Sequence, residues 1–236
     1  IRDRFYRSIL HTLLRVAAGF AAGMAAGLLA GTLTAFSRAA DVLLTPLKNI
    51  IKATPVTSFI VLILLYFSSN VTPSAVAFLA VLPICWSNVC EGLRQTDKKM
   101  TELAHAYAFG RKKTLREIYF PAVRPYLSAA ATTGLGFAWK SCVAAEVIAL
   151  SKNSVGRALY ESKLYLETAE LFAWTASVVL ISVLFEKLLV HKLFKNKNTE
   201  GTAGRRSESL EHGHASCEAE LQYKSDAYAE YGRDEE

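Results

Sequence analysis

The chain has 236 residues, 52% of them hydrophobic, and a formal net charge of +6. The charge is unevenly held: residues 1–196 carry 22 Lys+Arg against 11 Asp+Glu, and residues 197–236 carry 5 against 10. The basic excess flanks apolar runs, as in the cytoplasmic loops of membrane proteins. No aromatic-interleaved basic patch accompanies it, which excludes the nucleic-acid reading of a basic chain.

A bilayer core of about 30 Å takes about 20 apolar residues per helix, and spans must be helical because no water is there to pair the peptide groups. Residues 8–36 carry one charge, Arg15, and form the first predicted span. Within it Gly19, Gly23, Gly27 and Gly31 recur every four residues, a small-residue groove for helix packing. Residues 41–52 are amphipathic and are expected to lie at the membrane interface, with Pro46 and Pro55 interrupting helix continuation. They turn into a second span at 55–69. A turn at 68–73 places Pro73 at a helix start, and a third span, 73–92, carries Pro83. The polar loop 94–120 divides into two short helices about Phe109, Gly110 and Arg111. Pro121 and Pro125 open a fourth span, 121–150, with Lys140 and Glu146 inside it. Residues 151–156 break it, a short amphipathic stretch follows, and the last span covers 168–190.

Charges inside a span are costly and are functional candidates by default. Lys140 and Glu146 stand about 120° apart around a helix at 3.6 residues per turn, so each is expected to find its partner on another span. With Trp139 they are the candidate lining of a pathway or its gate; the plainer alternative is a structural ion pair between helices, or Lys140 reaching toward the surface.

The loop's net charge of +4 and the lysines at 187, 192, 195 and 197 place loop and C-terminus in the cytoplasm. Five spans then put Ile1 outside, and a cytoplasmic start requires a sixth helix before it. Residues 196–236 are too polar to bury a core and read as a disordered cytoplasmic tail. Its His212, His214 and Cys217 read as a solvated cluster, and the cysteines at 85, 90, 142 and 217 lack metal-ligand or redox spacing, so no metal site is expected. No phosphate-binding Gly-x4-Gly-Lys-Ser/Thr loop occurs, so the chain is not expected to be an enzyme or to hold ATP.

The loop carries Glu102, Ala104, Ala108, Ile118 and Pro121 in one gapless register, with Phe109, Gly110, Arg111 and Lys112 between. This resembles the cytoplasmic "EAA" loop of ABC-transporter permeases, which docks on the ATPase subunit. Leu103 stands for the family's second Ala, Ala108 for its Gly, and Phe120 for the Leu of its Leu-Pro. The stretches 14–20, 44–55, 138–146 (with Trp139, Lys140 and Glu146) and 154–159 are similar to the nitrate/sulfonate/taurine-type importers. The resemblance implies an all-α type I importer domain over 1–195, normally of six spans, in the bacterial inner membrane. It also implies a second permease copy, ABC ATPase subunits holding ATP and Mg, and an extracytoplasmic binding protein. The solute would be sulfonate-, nitrate- or taurine-like, or a vitamin precursor. A membrane scaffold recruiting a soluble partner through the loop is the alternative.

Overall fold

The computed structural model describes residues 2–107 and 109–194; Ala108 and the predicted tail from residue 196 lie outside them. No strand occurs among the described residues. The elements are α1 (Arg2–Phe36), α2 (Arg38–Ala53), α3 (Val56–Tyr66), α4 (Thr72–Arg94), α5 (Lys98–Ala106), α6 (Arg111–Thr114), a π turn (Leu115–Tyr119), α7 (Phe120–Ala149), α8 (Val155–Leu164) and α9 (Thr168–Phe194). Their breaks have local causes. Ser37 is extended and its Oγ accepts from the Ala40 N–H at 3.3 Å, capping α2 with Asp41 in the first turn. Thr54, preceding Pro55, is extended, as a residue before proline must be, and this separates α2 from α3. Pro46, expected to stop the helix, instead lies inside α2. That helix buries none of its residues, so the carbonyl freed by proline is not sealed in a core.

The glycine ladder sets the central packing. A Cβ on Gly19 would stand 2.4 Å from the Ser74 carbonyl oxygen, on Gly23 2.8 Å from Val81 Cβ, on Gly27 2.6 Å from Cys85 Cβ, and on Gly31 2.9 Å from the Trp86 carbonyl oxygen. Only a bare backbone face fits there. The contacts advance together along both chains, so α1 and α4 are parallel neighbours. Gly134 differs, because a Cβ there would meet Val81 at an ordinary 3.4 Å. Gly27→Leu is therefore expected to abolish recovery of monodisperse protein in detergent, while Gly134→Ala leaves the thermal midpoint within about 2 °C. Equal behaviour of the two variants would refute the close contact.

Parallel neighbours require a return crossing between them. The second crossing, expected as one helix at 55–69, is not one: α3 has 11 residues, about 16 Å at 1.5 Å per residue, half a hydrocarbon core. The return is made by α2 and α3 together, bent by 103°. It starts where Asp41 meets Arg94 at the end of α4 and finishes where Ile60 packs on Val76 near its start. The amphipathic segment is thus part of the crossing.

α7 runs antiparallel to α4, pairing Val123 with the Leu93 level and Ala145 with the Val76 level. The central cluster joins Val16, Ala77, Val81, Ala138, Trp139, Cys142 and Val143. α9 starts beside α8, where Trp174 is buried with Val155 and Ala158, and its Val178 and Ile181 lie on the central cluster. Among the described residues, α1, the α2–α3 pair, α4, α7 and α9 run between two ends. One end holds residues 36–41 and the stems of the 94–120 loop; the other holds the 67–71 turn, the α7–α8 break and α8. Phe5–Phe36 and Thr72–Arg94 are each long and apolar enough to cross a membrane. α7 has 30 residues, its apolarity diluted by Ser, Thr and Gly, and the apolar part of α9 is Thr168–Leu184.

Candidate functional site

At the loop end, α5 exposes Met100 and Glu102 and buries Ala104, and Tyr107, just after it, is exposed. The turn after it closes when the Phe109 N–H donates to the Ala104 carbonyl at 2.9 Å, and the Lys113 ammonium sits 4.1 Å from the Phe109 ring centroid. Gly110 is exposed and a Cβ there would meet nothing, so its role is not steric. Ile118 is half-buried in the π turn, and Pro121 is exposed in the first turn of α7. Arg111 and Lys112 open α6; their side chains, like Ala108, lie outside what is described.

Both stems of the loop are tied to the α1–α2 elbow. Arg94 Nη2 lies 2.6 Å from Asp41 Oδ2, and Tyr119 packs edge-on against Phe36 with ring centroids 5.3 Å apart. Trp86 Nε1 donates to Thr34 Oγ1 at 3.0 Å and its ring carries the Lys48 ammonium at 5.7 Å.

At the opposite end a fully buried carboxylate gathers four segments. Glu146 accepts from Thr12 Oγ1, 2.9 Å from Oε2, from Arg15 Nη1 at 3.0 Å, and from the Gly156 N–H at 3.2 Å. Arg15 Nη2 also donates to the Lys152 carbonyl at 3.0 Å and to Asn70 Oδ1 at 3.3 Å. Thr12 in turn accepts the Val155 N–H at 3.2 Å. Gly156 is required here: a Cβ would stand 2.4 Å from that of Glu146. The chain reaches this geometry by ending α7 on a left-handed Leu150, φ 51°, and passing through a left-handed Asn153, φ 50°. Such a conformation is uncommon for leucine and persists where surrounding contacts impose it.

Residues 23–191 match the family of binding-protein-dependent transport system inner membrane components. The chain belongs to that family. It is an ABC-transporter permease, a multi-pass membrane subunit that is not itself an enzyme, the ATPase being a separate subunit. The permease is 27% identical over 80% of its length, and 69% of the relative's, to a putative aliphatic sulfonates transport permease of Bacillus subtilis. It is 31% identical over 78% of its length, and 72% of the relative's, to a riboflavin transport system permease of Chloroflexus aurantiacus. A crystal structure of an amino acid ABC transporter with histidines superposes with a TM-score of 0.66 over 83% of the permease and 94% of that chain. At 15% identity that likeness concerns the fold.

The permease keeps its predicted loop, pathway and gate residues in four separate places. Glu102, Phe109, Gly110 and Ile118 cluster at the loop end. Glu146 lies in the hub at the other end, and Trp139 is buried in the central cluster. Lys140 is exposed on α7 between the two ends. Sequence reasoning missed the hub's partners Thr12, Asn70, Lys152 and Gly156. It did have one usable signal: Arg15 is the one charge of 8–36 and Glu146 the one acid of 121–150, and they pair.

Proposed function

We propose that the permease, as a homodimer, forms the pathway of an ATP-driven importer for a small solute handed over by an extracytoplasmic binding protein. The loop 94–120 is its ATPase contact, with ATP and Mg held on that partner. The observation that carries this reading is the loop end itself: short helices project there with Glu102 and Tyr107 exposed, and both stems are fastened to the spanning helices. A docking element needs an accessible face and a stiff attachment. Ala104, buried within the loop, supports that stiffness, while Glu102 supplies contact. The relatives named for aliphatic sulfonates and for riboflavin support either a sulfonate-like anion or a vitamin-like solute. Glu146 serves by holding the helices of the outer gate, since it ties α1, through Thr12 and Arg15, and the start of α8, through Gly156, to α7.

The reading is tested by reconstituting permease, ATPase and binding protein in liposomes. Solute accumulation that requires ATP is the expected result; ATP hydrolysis without any accumulation leaves only a recruiting role for the loop. Sidedness has its own measurement. A membrane-impermeant thiol label is expected to leave Cys217 unmodified in intact cells and to modify it in inverted vesicles. Modification from outside inverts the topology and removes the loop from the ATPase.

A further inference from the structure

Lys140 lies nine residues before the last residue of α7, about 14 Å from the helix end and near the middle of a core about 30 Å thick. It shares an exposed stripe with Thr133, Phe137, Ala144 and Ile148, turned away from the buried face of α7. Among the described residues its ammonium forms no ion pair. Lipid is a poor environment for a cation at that depth, and a four-carbon stem is too short to bring it to the headgroups. A second copy of the chain brings no remedy. Residues 5–36, 56–90 and 171–184 contain no Asp or Glu. Glu146, the acid of α7, is fully buried and already engaged by Arg15. Facing copies would set two ammonium groups at one depth with no carboxylate between them.

Resting on the homodimeric importer reading, we infer that Lys140 of each copy lines the translocation pathway and supplies the counter-charge to an anionic head group. It is then the residue by which the permease admits an anion and disfavours a neutral solute. A lysine is suited to this, because its compact, hydrated ammonium with three donors binds an oxyanion without fixing its geometry and so lets it leave. A buried bidentate pair would hold the solute in place.

The test uses the reconstituted complex of permease, ATPase and binding protein with three labelled solutes: butanesulfonate, nitrate and riboflavin. Wild type is expected to accumulate an anion. Lys140→Met should lower that uptake by about tenfold or more, as loss of one charge-assisted contact does, with ATP hydrolysis by the complex kept. Lys140→Arg, which keeps the charge but can grip the oxyanion bidentately, should restore only part of it. In a Cys217→Ser background, a water-soluble methanethiosulfonate should modify Lys140→Cys in the assembled complex, which reports water access even where uptake is lost. Anion uptake unchanged by Lys140→Met overturns the inference, as does a cysteine that no aqueous reagent reaches. Uptake of riboflavin alone, equal in wild type and Lys140→Met, leaves the importer reading standing and overturns this one. Hydrolysis with uptake of none of the three removes the importer reading and this inference with it.

Discussion

Glu146→Leu is expected to destabilise the folded permease by about 3–5 kcal/mol, the cost of breaking a buried ion pair by deleting one partner. The substitution leaves Arg15 Nη1, Thr12 Oγ1 and the Gly156 N–H without the oxygens they now face. Water does not replace those oxygens readily, because the carboxylate is fully buried. Glu146→Gln keeps an acceptor for the hydroxyl or the amide but loses the charge, so it should fall between wild type and leucine. The double variant Arg15→Met/Glu146→Leu should recover a large part of the loss, since replacing both members of a buried pair with apolar groups removes the orphan charge. Thermal unfolding in detergent measures the series. A leucine variant as stable as wild type, or a double variant worse than both singles combined, would falsify the assignment of this hub as a clamp.

The second large effect is expected at the loop. Glu102→Lys reverses an exposed charge on α5 while leaving the buried Ala104 and the Phe109 turn untouched. Folding and membrane level should stay near wild type, because an exposed substitution away from packed groups shifts stability by about 0.5 kcal/mol or less. Association with the ATPase should weaken by about tenfold or more, since like charges brought together at an interface cost several kcal/mol. Uptake should fall with it. Ala104→Asp gives the complementary result: a carboxylate forced into the buried side of α5 should disrupt the loop itself and lower membrane level as well. Co-purification with the ATPase, normalised to permease in the membrane, separates the two. Full retention of the ATPase by Glu102→Lys would place the contact elsewhere on the chain.

Most helix limits were legible, because each rests on a local cause. The spans α1, α4, α7 and α9 are apolar runs ended by charge or proline, and the α7–α8 break follows from the polar stretch 151–154. The crossing by α2 and α3 was not legible. Alone, 41–52 has the amphipathy of an interfacial helix, and Pro46 looks like a stop; only the parallel contact of α1 with α4 demands a return through that segment. The loop's helix–break–helix form was readable, yet the inward face of Ala104 was not, since both faces of α5 are rich in small or polar residues. The hub was half readable. Arg15 and Glu146 stand out by charge, but Thr12, Asn70 and Gly156 join them through turns whose course no spacing rule gives.

The elbow at Ser37 has a mechanical corollary. Asp41 grips the stem that enters the loop and Phe36 the stem that leaves it, and these two residues flank one non-helical residue. A load applied to the loop from beneath therefore arrives at a single fulcrum, with the long rigid α1 on one side and the twice-jointed α2–α3 limb on the other. The stiff arm is locked to α4 along its length by its glycines, whereas the jointed arm is fastened to α4 only at separate points, Asp41 on Arg94 and Ile60 on Val76. That limb thus joins the loop's elbow at one end to the turn at 67–71 at the other, where Asn70 meets Arg15 of the hub.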